Sequence, residues 1–577
     1  MRIAALKFSS MFTKLVWAAL LMSALLLSAC GGKDKRAKTP KGQVALSASV
    51  LEFEVPPART VSEEEAEQAL LAFGLGEDAK DVKRTGKGGN YIYTNITLES
   101  DEFSMGSFEI TGLHMLGDIP MFDGIIFRDV TTFDEDNGVK SSFDEVTFIG
   151  PTPMLCQMIA DGIEAEKVSG EDEDIAAYFK ATIANLDALD LSAEDRKARL
   201  VIGFDQFTMA GVSAVGDGLK ITVGSMVIGR TKDGTGAGQL RDLNITMVDS
   251  IDDVLVVLKL GLYEITDFNL EKFSMFADPD FYVRVQSGDS EEELMGVLKS
   301  YIDPFNPHFA GYLVKDFSFA MDESFSIDMS QASLVSTRKG DVLTRVTRVS
   351  PITIMWPEHV ADQDLQGVLD VYASMGYDKV VVSGGATTTL NETKDTIDVS
   401  NYHVQFDDMF RVSSDIKMGG VKTGLNKFVD VMGAEGFDTK TDDEVAVTLF
   451  RMLGSELKTF ELTLTFTDLS IIEQSLKLGA KKLTDEDVGE FTPEMMNAKA
   501  KASVSMFPLL AQDDAQLEYL TDVSEAMTSL IDNSGSITFS MKPKMPIDFE
   551  AIQAGVAAGE FDISVLGLEV SAQPPKH

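Results

Sequence analysis

Three carboxylates in the first half of the chain have the residue types and spacing of a calcium-binding loop. Asp134, Asp136 and Glu145 fall at positions one, three and twelve of an EF-hand-like register, where carboxylate oxygens ligate the cation. Position six is Val139, where the sharp turn of such a loop requires glycine. An acidic hairpin turn at Asn137-Gly138 accounts for the same residues without a metal. We expect no metal site, and these three residues are the candidate ligands if one forms.

A carboxylate and an imidazole stand side by side at Glu358 and His359, and such a pair can act in general acid–base catalysis. They would support a periplasmic hydrolase if Asp362 or another acid lies within hydrogen-bond reach of His359. The alternative is that Pro357 leads into a helix near Ala361, with Glu358 at its favourable amino-terminal end. We assign no catalytic residue and expect a non-enzymatic protein.

Other sequence motifs for catalysis or metal binding are missing. The sequence has no Gly-x-Ser-x-Gly elbow, no phosphate-binding loop and no paired-cysteine zinc site. None of its five histidines is paired with another at i, i+4 spacing. Cys156 lies in an apolar helical segment and is interpreted as a small buried hydrophobe, with a catalytic thiol as the alternative.

The remaining cysteine, Cys30, ends an apolar run that begins near Leu15 and follows a positively charged start. This run is too short to span about 30 Å of hydrocarbon comfortably. The alternative is an uncleaved anchor helix that reaches back to Phe12. The four residues Leu27-Ser28-Ala29-Cys30 place two small side chains before a thiol and resemble a bacterial lipobox.

The lipobox resemblance implies a signal peptide over residues 1–29, cleavage between Ala29 and Cys30, and acyl chains such as palmitate on Cys30. The partner it implies is a membrane, reached through this covalent lipid. Gly31 follows the cysteine instead of Asp, which in Gram-negative lipoproteins implies sorting to the outer membrane, here at the periplasmic face. Residues 30–43 are polar and basic and are expected to form a flexible tether.

Composition limits the possible partners. The formal net charge is −42 and the isoelectric point about 4.4. Such acidity excludes nucleic acid as an expected partner, because phosphate must be neutralised by basic patches. With Cys30 acylated, Cys156 is left alone, so no intramolecular disulfide is expected. The apolar content of 44% is enough for a sizeable core.

Alternating patterns predict a strand-dominated α+β fold with large antiparallel twisted sheets and interspersed covering helices. In Thr459–Thr467 the apolar residues occupy every second position, as in a strand with one buried face. In Phe103–Ile110 this alternation changes phase at Gly106, which indicates a bulge or a turn. Ser62 followed by acids predicts a helix start.

A short pattern recurs through the chain: apolar, any, acid, apolar, any, apolar. Its examples are residues 143–148, 240–245, 265–270, 314–319 and 466–471. Chance in an acidic, strand-rich chain is one explanation. The other is a sheet built from duplicated strand pairs, each with an acid at the same edge position. In residues 466–471 the acid, Asp468, is also a candidate helix cap.

These recurrent strands resemble the long β-sheet bodies of the AsmA-like group of bacterial envelope proteins. The segment Gly376–Ser383, followed by Gly384-Gly385 and a Thr-rich return through Asp395–Val399, shares this resemblance. It implies lipid handling or outer-membrane upkeep. The lipobox is a departure from that group.

We predict a β-rich domain with helical insertions over residues 44–345 and a second α+β domain over residues 346–577. The expected function is that of an outer-membrane-anchored periplasmic lipoprotein of the cell envelope, either a scaffold or a protein that binds lipids or other apolar ligands. Envelope proteins are further possible partners. The alternatives are the Glu358/His359 hydrolase and an acidic, calcium-associated surface protein.

Overall fold

The structure, a computed structural model, divides the described chain into two compact units. It describes residues 59–73, 83–97, 103–134, 138–162, 183–184, 203–232, 234–248, 255–268, 296, 303–307, 309–321, 325–356, 363–432, 456, 459–485, 490–511, 513–543 and 563–574. Unit 1 holds the described residues from 59 to 296 and 306–315, and unit 2 holds 303–305 and those from 316 onward. The predicted signal peptide and tether lie outside the described residues.

Unit 1 is a meander of antiparallel strands. Its elements are α1 (Glu63–Ala72), β1 (Lys83–Lys87), β2 (Asn90–Thr97), β3 (Phe103–Thr111), β4 (His114–Leu116), β5 (Ile119–Met121), β6 (Gly124–Asp134), β7 (Val139–Ile149), α2 (Pro153–Gly162), β8 (Gln206–Gly216), β9 (Leu219–Arg230), β10 (Gly236–Val248) and β11 (Leu255–Phe268). Each strand pairs with the next along the chain, except that β3 pairs with β6 and the hairpin β4–β5 stands apart. Strand β12 (Gly311–Met321) begins in unit 1 and ends in unit 2.

Six neighbouring strands of unit 1 change the phase of their side-chain alternation at the same level. In a regular strand, residues two apart share a face. Here the core residues that flank the change are three apart, and the strand register stays continuous across it. The flanking pairs all belong to or pack against one hydrophobic core: Met105/Phe108, Phe127/Val130, Phe143/Val146, Met209/Val212, Val223/Met226 and Leu240/Leu243.

At the phase change lies a transverse row of glycines and aspartates, one per strand, which we call the Asp–Gly row. It consists of Gly106, Asp129, Asp144, Gly211, Gly224 and Asp242. Asp129, Gly211 and Asp242 have φ values of 53°, 60° and 54°. This left-handed conformation is accessible to glycine and, among other residues, mainly to Asp and Asn. In β6, β8 and β10 it allows both halves of the strand to face the same core.

The aspartates of the row lie against glycines of the neighbouring strand. A Cβ atom on Gly106 would stand 2.7 Å from Oδ2 of Asp129, and one on Gly224 would stand 2.9 Å from Oδ2 of Asp242. A Cβ atom on Gly211 would overlap the carboxylate of Asp144. The pairs β3–β6, β7–β8 and β9–β10 therefore each carry one such Asp–Gly contact, as duplicated strand pairs would. The acids lie in the middle of the strands and not at an edge.

The same conformation accounts for two further acids of the recurrent sequence pattern. Asp267 and Asp316 have φ values of 51° and 52°. Asp468 instead caps α5 (Ile471–Asp485) by accepting the N–H of Ile472 at 3.1 Å, and Glu145, the acid of residues 143–148, forms an ion pair with Arg128 at 3.1 Å. The aspartates of the recurrent pattern thus have a backbone or capping role, whereas its one glutamate pairs with an arginine.

Helix α1 is held on the sheet by hydrogen bonds of its first turn. Ser62 caps the helix, as predicted, by accepting the N–H of Glu65. Glu63 accepts the N–H of Gly88 at 2.7 Å and the hydroxyl of Tyr91 at 2.9 Å. Burial and then this hydrogen bond raise the pKa of Tyr91 to about 12. The acids of the helix start therefore act as structural contacts.

Unit 2 combines a second antiparallel meander with most of the described helices. Its elements are β13 (Phe325–Lys339), β14 (Val342–Met355), α3 (Gln363–Ser374), β15 (Lys379–Asn391), β16 (Thr396–Phe406), β17 (Phe410–Gly419), α4 (Val421–Met432), β18 (Thr459–Asp468), α5, α6 (Pro493–Val504), α7 (Asp514–Asn533), β19 (Gly535–Met541) and β20 (Leu568–Gln573), with short 3₁₀ turns at Phe507–Leu510 and Ile563–Leu566. From β13 to β20 each strand pairs with the next.

Unit 2 changes side-chain phase by register shifts. The ladders slip between Val349 and Ile352 on β14 and between Val399 and Tyr402 on β16. Asn401, at the second shift, has a φ of 54° and donates its N–H to Asp415 at 2.9 Å. Each extra residue is a β-bulge, which bends its strand.

The predicted fold class is confirmed, because both units consist of a large antiparallel sheet with helices against it. Residue 345, the predicted domain boundary, lies inside β14, whose ladders with β13 and β15 pass across it. The two compact units divide at residues 315 and 316. Among the described residues, no helix has the length and apolar character needed to cross a membrane.

The Asp–Gly row generates a stability prediction for Gly211→Ala. The left-handed φ alone costs about 1–2 kcal/mol for a residue with a Cβ. The overlap with Asp144 adds about 1–3 kcal/mol, because packed interiors relax only partly. We expect a fall in the urea midpoint, followed by far-UV circular dichroism.

Gly138→Ala is the matched control for Gly211→Ala. Gly138 has a φ of 63°, but a Cβ there would meet nothing within 4 Å. The free energy of unfolding of Gly138→Ala should therefore fall only by the cost of the left-handed φ, about 1–2 kcal/mol. Adding Asp144→Ala to Gly211→Ala should restore stability to about that of the control. Equal losses for Gly138→Ala and Gly211→Ala would contradict the proposed contact.

Candidate functional site

The candidate site is an apolar sheet face in unit 2 that the described helices cover incompletely. Residues directly opposite in an antiparallel ladder share a face. The register therefore places one row of apolar side chains on this face near α4, namely Leu343, Leu390, Ile397, Met418 and Phe460. A second row on the same face lies near α5 and α7, namely Val412, Phe466, Ile537 and Ala572.

Helix α4 covers the first row. Val421 and Leu425 of α4 pack with Phe305, Leu343 and Leu390 in one hydrophobic cluster. The helix is capped by a residue from a distant loop: Asp395 accepts the N–H groups of Lys422 at 2.7 Å and Thr423 at 3.2 Å. Asp395 has a φ of 50°, so its backbone adopts the left-handed conformation of the turn while its carboxylate caps the helix.

Lys422, in the first turn of α4, forms ion pairs with two neighbouring loops. Its Nζ lies 2.8 Å from Glu392 and 3.5 Å from Asp303. Burial alone would lower the pKa of Lys422, but the hydrogen bonds and charges of Glu392 and Asp303 raise it above its ordinary value. The lysine therefore stays charged and holds three chain segments together.

Helices α5 and α7 cover the second row. Ala526, Met527 and Leu530 of α7 and Ile472 of α5 pack on a cluster that includes Ile537. The partly buried sheet residues of this cluster are Phe466, Phe539, Val570 and Ala572. Helix α5 starts at this corner because the buried Asp468 caps it.

Between the two covered areas lies an apolar strip, which we call the open strip. It consists of Ile416, Leu462 and Leu464, which share the face by register and belong to neither cluster. Leu464 is 38% exposed although it lies on the inner strand β18. Ile416 and Leu462 are half-buried.

A buried hydroxyl lies beside the open strip. Ser414 is directly opposite Leu464 on one side and Tyr402 on the other. Ser414 is only 8% exposed, whereas Tyr402 is 41% exposed, and among the described atoms Oγ of Ser414 has no hydrogen-bond partner. The small serine thus lies between two larger exposed side chains, with its hydroxyl buried beneath them.

This arrangement presents an apolar surface to solvent. Apolar floors with a few polar groups are typical of sites for apolar small molecules. A ligand that covers the strip gains roughly 25 cal/mol per Å² of apolar surface. Among the described residues, no group of three His, Cys, Asp or Glu side chains is placed to hold a metal.

The hairpin β6–β7 separates the predicted calcium ligands. Asp134 pairs with Val139, and Glu145 lies six residues further along β7, about 20 Å away at the usual strand rise. Glu145 instead contacts Arg128 at 3.1 Å. Asp136 lies outside the described residues. The turn with a left-handed Gly138 supports the hairpin interpretation, and Asp134 and Glu145 do not converge as an EF-hand-like loop requires.

The other predicted site residues are either outside the described residues or buried. Ala29, Cys30, Glu358, His359 and Asp362 all lie outside the described residues. Cys156 is fully buried in α2, and burial raises the pKa of its thiol to about 12. A thiol of that pKa is protonated at neutral pH and is a poor nucleophile, so Cys156 is interpreted as a core residue.

No sequence motif marks the residues of the open strip as a site. Leu462 and Leu464 were recognised only as part of an alternating strand, and Tyr402, Ser414 and Ile416 were not singled out. The position of Tyr402 on this face depends on the bulge at Asn401, since a shift by one residue moves side chains to the opposite face. The polar Ser414 among alternating apolar residues is the one local signal.

One family model matches this part of the chain. Residues 403–573 match a family described as "Uncharacterized protein". The matched segment runs from β16 to the end of β20 and contains α4 to α7, so it includes most of the candidate site. No curated protein matches the chain.

Asp395→Ala should destabilise the helix that covers one side of the strip. It removes the acceptor of the first-turn N–H groups of α4, and loss of such a cap costs about 1–2 kcal/mol. We expect a lower urea midpoint and faster amide hydrogen exchange in residues 421–432.

Asp395→Asn is the matched control, because Asn retains an acceptor oxygen and tolerates the left-handed φ. It should lose less than half as much stability. If Asp395→Asn and Asp395→Ala lower the urea midpoint equally, the cap does not position α4.

Proposed function

We propose that the protein is a non-enzymatic lipoprotein that is anchored in the outer membrane by acyl chains on Cys30, faces the periplasm and binds an apolar ligand on the open strip of unit 2. The observation that carries this proposal is the exposure of Leu464 and Tyr402 on the otherwise covered apolar face of an inner part of the sheet. An envelope protein with this surface would serve as a carrier or as a lipid-dependent scaffold.

The chemistry of the strip favours an acyl chain over a polar ligand. The strip offers the aliphatic side chains of Ile416, Leu462 and Leu464 on two adjacent strands, and the one polar side chain that shares this face beside them, Ser414, has its hydroxyl buried. Each CH₂ group of a ligand buried here contributes about 0.8 kcal/mol. A linear chain of about ten carbons therefore gains several kcal/mol before the cost of ordering it.

The acidic composition is consistent with this location. A protein held by acyl chains on a membrane needs only a soluble body, and a formal net charge of −42 favours solubility. The tether sequence, residues 30–43, carries basic residues that suit contact with anionic headgroups. These features support the proposed anchor.

Leu464→Lys tests the proposed ligand site. A cation on the open strip must remain solvated, so an apolar ligand loses its contact there. In the mature chain without its acylated cysteine, residues 31–577, the Kd for a fluorescent fatty acid should rise at least tenfold, as measured by titration.

Thr463→Lys is the matched control. Thr463 is the neighbouring residue of β18, so its side chain lies on the opposite face, and it pairs with Asp415. Its Kd should equal that of the unsubstituted chain. Equal weakening by both substitutions, or unchanged binding in Leu464→Lys, would overturn the assignment of the ligand to this face.

A further inference from the structure

The two most exposed large apolar residues of the described chain, Leu509 and Leu510, lie at the tip between α6 and α7. Leu509 is 80% exposed and Leu510 is 69% exposed, and Met506 is exposed beside them. The three belong to the run Met506-Phe507-Pro508-Leu509-Leu510-Ala511, which contains no charged or hydrogen-bonding side chain. Soluble proteins rarely expose such a contiguous apolar run without a binding role.

The tip is an ordered element of the fold. Phe507–Leu510 forms a 3₁₀ turn, with the N–H of Leu509 donated to Met506 and that of Ala511 donated to Pro508. The turn packs against α7, and α7 begins with its own cap, Asp513, which accepts the N–H of Gln516 at 2.8 Å. The apolar side chains are therefore held outward by a fixed turn.

The size of the tip favours a bilayer over a protein partner. A stable protein interface buries about 800 Å² on each partner, far more than three side chains can supply. A bilayer interface accepts a small apolar protrusion to a depth of about 5–10 Å.

Charge also limits the choice of membrane. The residues that follow the tip are the exposed acids Asp513 and Asp514. Of the nearest cations, Lys501 is engaged with Asp532 at 2.6 Å. An anionic membrane would repel these two acids, so the tip is better suited to zwitterionic lipid. Because no net charge attraction is involved, binding should depend little on salt.

The chain between Cys30 and Arg59 limits how far the described part of the protein can move from the proposed anchor. The residues between Cys30 and Arg59 span at most about 100 Å when extended. A body held on such a tether has a high effective concentration at its own membrane, so a weak second contact is sufficient.

We propose that Met506, Leu509 and Leu510 form a membrane-inserting tip that docks unit 2 on the zwitterionic surface of a lipid bilayer. The proposal extends the proposed membrane anchorage but does not require the acyl group. Helix α7 connects the tip to the second covered row of the apolar face, about 20 Å further along the helix at 1.5 Å per residue. Docking therefore holds unit 2, which carries the open strip, at the membrane surface.

The test is flotation of the unacylated mature chain, residues 31–577, with phosphatidylcholine vesicles. The unsubstituted chain should float with the vesicles, at high and low salt alike. The double substitution Leu509→Asp with Leu510→Asp should reduce the bound fraction at least tenfold. Both positions are exposed, so the far-UV circular dichroism spectrum should not change.

Leu71→Asp is the matched control, since Leu71 is 67% exposed on α1 of unit 1. It should float like the unsubstituted chain. No flotation of the unsubstituted chain, or equal losses in the control and the double variant, would overturn the proposal. Binding that requires phosphatidylglycerol and disappears with salt would also overturn it.

A dimer that the double substitution dissociates, measured by light scattering, would assign the tip to a second copy of the chain and overturn the membrane assignment. Fatty-acid titration of the double variant separates this result from the proposed ligand function. Loss of flotation with intact fatty-acid binding concerns the tip alone, whereas loss of fatty-acid binding in Leu464→Lys concerns the open strip alone.

Discussion

Strict alternation of side chains is the constraint on which both units depend. A long antiparallel strand places every second side chain on the core face, and one phase error moves the rest of the strand to the other face. Unit 1 changes phase at the Asp–Gly row without a change of register. Unit 2 changes phase by bulges at Val349/Ile352 and at Asn401. In each case the apolar residues on both sides of the change are brought to one face.

The candidate site follows from how the resulting face is covered. Helix α4 is fixed over one side by the cap from Asp395, and α5 is fixed over the other by the cap from Asp468. Both caps come from residues at the ends of strands, so the sheet itself positions the helices. The gap between them leaves Leu464 exposed on the inner strand β18, with the unpartnered hydroxyl of Ser414 beside it. The proposed binding surface is a gap in the helix cover and not a dedicated cavity motif.

The sequence was sufficient for features that rest on local signals. Alternation in Thr459–Thr467 predicted β18, and the cap at Ser62 predicted α1. The bulge or turn predicted at Gly106 was wrong, because β3 passes through this position with both of its ladders in register. The recurrent acids were noticed, but their left-handed backbone was not, because the pattern gives residue type and not φ. Asp is compatible with several roles, and only the pairing with glycine of the neighbouring strand distinguishes them.

Features that depend on distant residues escaped the sequence analysis. Helix α4 was missed because its cap, Asp395, precedes it by a whole strand hairpin. Helix α6 is an exception, because its start signal is local and was not used: Thr492 caps the helix and Pro493 begins it. The calcium interpretation used linear spacing, whereas the hairpin register places Asp134 and Glu145 six residues apart along a strand. The open strip depends on the pairing of β17 with β18, and its position beside Tyr402 depends on the ladder with β16, which no local pattern specifies.

The most direct test of the central claim is native mass spectrometry of the protein extracted from its own envelope. The proposed function predicts a mature chain that begins at Cys30 with covalent acyl mass, and one further acyl lipid that is bound noncovalently and lost in Leu464→Lys. A chain that carries no lipid beyond the covalent modification would contradict a ligand-binding open strip.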